Sequence, residues 1–173
     1  MSGYRALAVV TRFWKPGENY LKELISGVSG RVIDGDFVVI SEKAISTALR
    51  NIVDESNVEP SLSAKVIAKY WMPIVWGYFL GPLCHLHVRI LRYLRAYPLN
   101  MGGRHKQIAL WRAGFLQALM FGSEGGIDGS NLPFSYVSLP LNNANEVAQK
   151  IRREIWHKLQ TKVCVIIVDT DKT

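Results

Sequence analysis

No acidic residue lies between Glu59 and Glu124. That interval carries eight bases, Lys65, Lys69, Arg89, Arg92, Arg95, Arg104, Lys106 and Arg112, while the rest of the chain holds 13 bases against 14 acids. The net charge of +7 is therefore one basic block on a nearly neutral background. Such a block attracts polyanions through its long-range field, whether nucleic acid, an anionic membrane surface or a phosphorylated small molecule. Cysteine is scarce as well. Cys84 and Cys164 alone cannot build a disulfide framework, which points to a reducing, cytoplasmic setting. The opening Met-Ser-Gly-Tyr-Arg lacks the charged-then-apolar layout of a secretory signal. There is no solenoid or heptad repeat, no nucleophile elbow, no Walker lysine motif and no defensible Ser-His-Asp pattern. Arginines and aromatics interleave over 89–112, but no recognised nucleic-acid module is present.

What is there is an ordinary globular mixture, 49% apolar and 20% charged over 173 residues, enough for one or two small domains with a real core. Tyr4–Val10 reads as a strand, and Asn19 as the cap of a short helix over 20–25. Asp34-Gly35-Asp36 is a turn, and Phe37–Ile40 reads as a buried strand followed by a helix from Glu42. Tyr70–Val88 has no formal charge over 19 positions, which touches the lower limit for crossing a bilayer. Pro73, Gly77, Gly81, Pro82, His85 and His87 interrupt it, so the expectation is a buried helix that breaks near Gly81-Pro82. Arg89, Arg92 and Arg95 form a stripe on one helical face. Gln107–Phe121 is apolar without a decisive period. Asn143 and Glu146 resemble a capping box before an amphipathic helix over 144–159, and Val163–Val168 is an apolar strand. Strand, helix and loop alternate as in a mixed α+β fold. Composition divides the chain into an N-terminal part, 1–58, a basic and apolar helical part, 59–123, and a C-terminal part, 124–173.

Two acids stand out by position. Asp128 sits in the glycine-rich stretch 122–131 beside Ser130 and Asn131. Asp169 follows the strand 163–168, with Thr170 next to it. Ligands gather outside the carboxyl ends of strands in α/β sheets, and carboxylates, hydroxyls and amide oxygens suit Mg²⁺ or Mn²⁺. The same residues also suit a plain β-turn and a strand cap. Lys43 can reach a phosphate as a point charge, or simply lie solvated on a helix. Cys84, His85 and His87 lack a second ligand pair at zinc spacing.

Four segments taken together resemble the coenzyme F420-0:gamma-glutamyl ligase family. They are 15–19 with its following helix, 34–46, the stretch Gly126-Ile127-Asp128-Gly129-Ser130-Asn131-Leu132-Pro133, and the 144–160 helix leading into Val165–Thr170. The resemblance implies an α+β fold of mixed sheets with packed helices, in an intertwined homodimer. It implies a ligase that uses GTP and a divalent metal to join L-glutamate to a carboxylate of the deazaflavin precursor through an acyl phosphate. It places Asp128, Asp169 and Thr170 on the metal. It sets Thr11, Arg12, Phe13, Trp14, Ser41, Glu42, Lys43 and Asn131 against the nucleotide. Nucleic acid and membrane are not expected partners. This chain departs from the family at Thr11–Trp14, where a Pro-Leu-Ile type segment is usual, and at Gly129, where arginine is common. It also gives Asp171-Lys172-Thr173 where Phe-Gly-Arg is usual. Two other readings stand beside the ligase: a non-catalytic or truncated, dimeric nucleotide-binding member, and a basic nucleic-acid or membrane-surface protein.

Overall fold

The computed structural model describes residues 5–122, 124–129, 132 and 135–169. The chain groups into two compact units. One is built from both ends, 1–51 and 140–173, and the other is the continuous segment 52–139. The sequence divisions at 58/59 and 123/124 follow composition; these units follow packing.

The first unit contains α1 (Tyr20–Val28), β1 (Phe37–Ser41), α2 (Glu42–Ala48), α8 (Ala144–Leu159) and β4 (Cys164–Val168). Asn19 caps α1 as expected, its side chain accepting from the Lys22 N–H at 3.2 Å. Buried Tyr20, Leu24 and Val28 recur every four residues and turn one face of α1 inward. β1 and β4 pair in parallel, from Phe37 beside Cys164 to Ser41 beside Val168. A parallel pair needs a long crossover, and here 122 intervening residues separate Ser41 from Cys164. β1 is not the fully buried strand expected from its apolar run. Val38 and Ile40 are buried, while Phe37 and Val39 face outward because period-two geometry alternates the side chains. The core joins Trp14, Tyr20, Leu24, Val38, Ile40, Ile45, Val147, Ile151 and Ile155.

The strand expected over 4–10 does not form across 5–10. Leu7 is 62% exposed and Val10 93% exposed, and no strand among the described residues pairs with them. A strand without a ladder leaves its N–H and C=O groups to water and loses the reason to extend. The capping box at the start of α8 is also absent, since Asn143 makes no side-chain cap bond.

The second unit contains β2 (Ile52–Asp54), a 3₁₀ turn (Glu55–Asn57), α3 (Leu62–Val66), a π-helix (Ile67–Leu80), α4 (Gly81–Leu83), α5 (Val88–Arg95), α6 (Leu99–Arg112), α7 (Phe115–Ala118) and β3 (Tyr136–Ser138). β2 and β3 pair antiparallel, with Val53 opposite Val137. Gln107–Phe121, undecided from sequence, is helical over α6 and α7, with a turn between them and irregular chain from Leu119 onward. The apolar stretch breaks near Gly81-Pro82 as expected: it widens into the π-helix, which ends at Leu80, and after the short α4 the chain turns at Cys84 and His85. The widening explains which residues are inward. Trp71 and Trp76, five apart, both donate their indole N–H to the Leu119 carbonyl, at 2.8 and 2.7 Å. On an α-helix two such positions point about 140° apart, whereas i→i+5 bonding stacks them. Among the described residues no helix is long and apolar enough to cross a membrane.

Candidate functional site

In the first unit, the parallel register decides which residues meet. Ser41 lies beside Val168, so Ser41, Glu42 and Lys43 leave β1 at the same sheet end where Asp169 leaves β4. This is the carboxyl end of both strands, where α/β proteins place their ligands. Ser41, Glu42 and Lys43 are half-buried and Asp169 is exposed. Glu42 has a structural duty as well: its Oε1 accepts the Leu141 N–H at 2.6 Å, tying the start of α2 to the segment before α8. The Lys43 carbonyl accepts the Thr47 hydroxyl at 2.8 Å.

The segment 11–14 is irregular. Thr11 and Phe13 are exposed. The Arg12 guanidinium is held by Glu23 at 3.1 Å and by Glu18, and these hydrogen bonds raise its pKa. Glu18 also accepts the Lys15 N–H at 2.8 Å, which closes the turn at Pro16-Gly17. Trp14 is different from its neighbours: it is buried in the core of this unit, and its indole N–H has no hydrogen-bond partner among the described residues.

In the second unit, Asp128 is fixed through its backbone. Its N–H donates to the Ser138 carbonyl at 3.1 Å and its carbonyl accepts the Ser138 N–H at 2.8 Å and hydroxyl at 3.0 Å. Ile127 beside it is buried among Val137 and Leu139. The Asp128 carboxylate thus stands on an anchored point of the glycine-rich stretch, half-buried. Asn131 and Thr170 lie outside the described residues. Asp128 and Asp169 both offer the hard carboxylate oxygens that Mg²⁺ or Mn²⁺ takes. Among the described residues, no three His, Cys, Asp or Glu side chains gather as a metal cluster.

The strongest electrostatic feature was not legible in advance. Four ionisable side chains interlock inside the second unit. Lys106, fully buried, donates to the Met120 carbonyl at 2.7 Å and to Glu124. The other Glu124 oxygen meets His105 Nε2, and His105 Nδ1 meets Glu55 Oε1 at 2.6 Å. Burial works against a charged His105, but the hydrogen bonds to Glu124 and Glu55 outweigh it and lift the pKa to about 9. Burial likewise works against the Glu124 carboxylate, and its bonds to His105 and Lys106 hold it below the usual range. Burial pushes the Lys106 ammonium down, with Glu124 opposing. The set therefore pairs two basic side chains with two acidic ones. One of the eight bases credited to the basic block is thus spent inside the core rather than offered to a polyanion.

One hint of this pairing exists in the sequence, since Glu124 is the first acid after the acid-free interval. Nothing local connects it with Glu55. Glu124 opens the stretch that carries Asp128, so the network clamps the base of that stretch to α6, while Gly122, Gly125 and Gly126 around it adopt positive φ.

A protein-family model for F420-0:gamma-glutamyl ligase matches residues 9–173. An uncharacterized protein of Methanocaldococcus jannaschii is 36% identical over 172 residues, which covers 98% of this chain and 59% of the relative. The chain therefore spans less than two thirds of the length of that relative.

Proposed function

The chain belongs to the F420-0:gamma-glutamyl ligase family, and from that premise we propose that it serves a carboxylate–amine ligation that consumes GTP. A carboxylate oxygen of the deazaflavin precursor attacks the terminal phosphorus of GTP, and the bond to GDP breaks. The amine of L-glutamate then attacks the acyl carbon, phosphate leaves, and the amine proton is lost. The observation that supports this reading is the parallel register, which puts Ser41, Glu42 and Lys43 at the same strand ends as Asp169.

In this reading Lys43 offers a point charge to the phosphates, and the exposed Phe13 and Thr11 lie toward the nucleotide. Trp14 supports that segment from within the core. Arg12 pairs with Glu18 and Glu23 and so offsets part of their charge beside the triphosphate. Asp128 and Asp169 are the carboxylates for Mg²⁺ or Mn²⁺, with Asn131 and Thr170 as their neighbours in sequence. A divalent ion in such a ligase supplies charge neutralisation on the phosphates, and the protein mainly positions the groups. A homodimer and a cytoplasmic location belong to the same reading.

Calorimetric titration of GTP into the full chain, with and without Mn²⁺, tests it. Micromolar binding that needs the metal, about −8 kcal/mol, and that falls in Asp128→Asn and Asp169→Asn, is the expected result. Unchanged binding in both variants refutes the metal assignment. Binding without amide formation from L-glutamate and the precursor refutes the ligase step. Sedimentation of a monomer alone refutes the dimer.

A further inference from the structure

A small pocket of about 150 Å³ opens in the second unit, lined by Glu55, Ser56, Arg104, His105, Gly129 and Tyr136 among others. It adjoins Gly129, the residue after Asp128. Its size lies well below the roughly 300–1,000 Å³ that drug-sized ligands fill. A nucleotide or a deazaflavin does not fit such a space; a molecule of amino-acid size does.

The charges on its walls are specific. Two of them belong to the interlocked set, in which His105 and Lys106 are balanced by Glu55 and Glu124. Arg104 stands outside that balance. Among the described residues no hydrogen bond or ion pair engages its guanidinium, and Asp54, already holding Ser56 and Asn57, reaches it only through the field. Glu55 commits Oε1 to His105, and no described residue engages Oε2. The pocket thus presents an uncommitted guanidinium and an uncommitted carboxylate oxygen. A guanidinium matches a carboxylate by two parallel hydrogen bonds, and a carboxylate oxygen accepts from an ammonium. The ligand that satisfies both walls is an amino acid, which carries a carboxylate for the guanidinium and an ammonium for the carboxylate.

We propose that this pocket, formed by Arg104 on α6 and Glu55 on the 3₁₀ turn beside Gly129, is the site that receives the amino-acid substrate, L-glutamate, with Arg104 holding a carboxylate and Glu55 the ammonium. The assignment rests on the ligase reading above. His105 serves as a positioning residue here: it holds Glu55 from behind and is itself held by Glu124.

The test is calorimetric binding of L-glutamate and of glutarate, which lacks the ammonium, to the full chain and to Arg104→Met and Glu55→Gln. A lost charge-assisted hydrogen bond weakens binding by about tenfold to a hundredfold. Arg104→Met therefore weakens both ligands by at least tenfold. Glu55→Gln keeps an acceptor for His105, weakens L-glutamate by a similar factor and leaves glutarate unchanged. On the unaltered chain glutarate binds at least tenfold more weakly than L-glutamate, a comparison that needs no variant to fold. The proposal is overturned if glutarate binds as tightly as L-glutamate. It is overturned if Arg104→Met, folded by circular dichroism, binds L-glutamate unchanged. It is also overturned if inorganic phosphate displaces L-glutamate at equal concentration, which marks a simple anion hole. A chain that binds GTP with Mn²⁺ but not L-glutamate sinks this proposal and leaves the nucleotide reading. L-glutamate binding with the expected pattern, but no GTP binding, does the reverse.

Discussion

Replacing Lys106 by Met isolates the interlocked charges of the second unit. Methionine keeps the length and most of the volume of the side chain, so packing around Ile108 and Ala109 changes little. What is lost is the ammonium. Glu124 keeps only His105 as a partner, and the Met120 carbonyl loses the donor that held it at 2.7 Å. Lys106 has no exposed surface and Glu124 is 8% exposed, so water cannot replace the missing donor without opening the core. Removing one member of a buried pair costs about 3–5 kcal/mol, because the other charge is left uncompensated. Against a total stability of about 5–15 kcal/mol, that is a severe change. With a urea m-value of about 2 kcal/mol/M, the midpoint of chemical unfolding falls by about 2 M. The double variant Lys106→Met/Glu124→Gln removes the stranded anion while leaving His105 an amide oxygen to bond. It is expected to recover more than about 1 kcal/mol relative to the single change, a coupling typical of residues in contact. A loss below about 1 kcal/mol in Lys106→Met, or strict additivity in the double variant, refutes the claim that the network is a stabilising unit.

The His105 ring is bound more tightly as imidazolium in the folded chain, with a pKa of about 9 against 6.5 when unfolded. Its contribution is complete below pH 6.5 and is lost as pH rises through 9, about 3 kcal/mol at most; urea midpoints at pH 6, 7.5 and 9 should fall accordingly, and the fall should vanish in His105→Gln. In Gly81→Ala the new Cβ meets the Trp76 carbonyl at 2.4 Å and Leu91 at 2.7 Å. The substitution is expected to cost at least about 2 kcal/mol despite the better helix propensity of alanine, and thermal unfolding that matches the parent chain would speak against the π-turn at this point. Trp14→Phe deletes an indole N–H that is buried without a partner among the described residues. Because such a group costs about 1–3 kcal/mol when unsatisfied, the substitution is expected to change stability by less than about 1 kcal/mol, and a loss above about 3 kcal/mol in urea unfolding would show that the N–H is engaged.

Elements whose cause is local could be read directly from the chain. The Asn19 cap, the Asp34-Gly35 turn into β1 and the apolar face of α8 all rest on residues a few positions apart. Elements whose cause is distant could not. The 5–10 segment has strand composition, but only a partner strand makes a strand. The stretch from Tyr70 to Leu83 carries helix breakers, yet i→i+5 bonding admits Pro73 and ends with the Gly81 N–H on the Trp76 carbonyl. The same contrast divides the candidate site. Asp169 and Lys43 were identified by their places at strand ends, and the β1–β4 register brings those ends side by side. The ion network is invisible locally because Glu55 and His105 lie 50 positions apart and His105 and Glu124 lie 19 apart. Trp14, which the resemblance sets against the nucleotide, lies in the core of the first unit, a burial that nothing in its neighbouring residues signals.

The pairing of β1 with β4 has a consequence for the order in which the molecule forms. During synthesis the whole segment 52–139 emerges between the two strands, and its contacts close within itself. Chain segments with local contacts fold early, and pairings between distant segments wait for their partners. β1 is therefore made more than a hundred residues before the strand that completes it, with Val38 and Ile40 lacking the β4 side of their cover. The later segment is released while the earlier one is still unfinished, and the first-made unit is the last to close. Pulsed hydrogen exchange during refolding should find protection in α6 before it finds protection in β1; the opposite order would mean that the two strands meet before the intervening segment has folded.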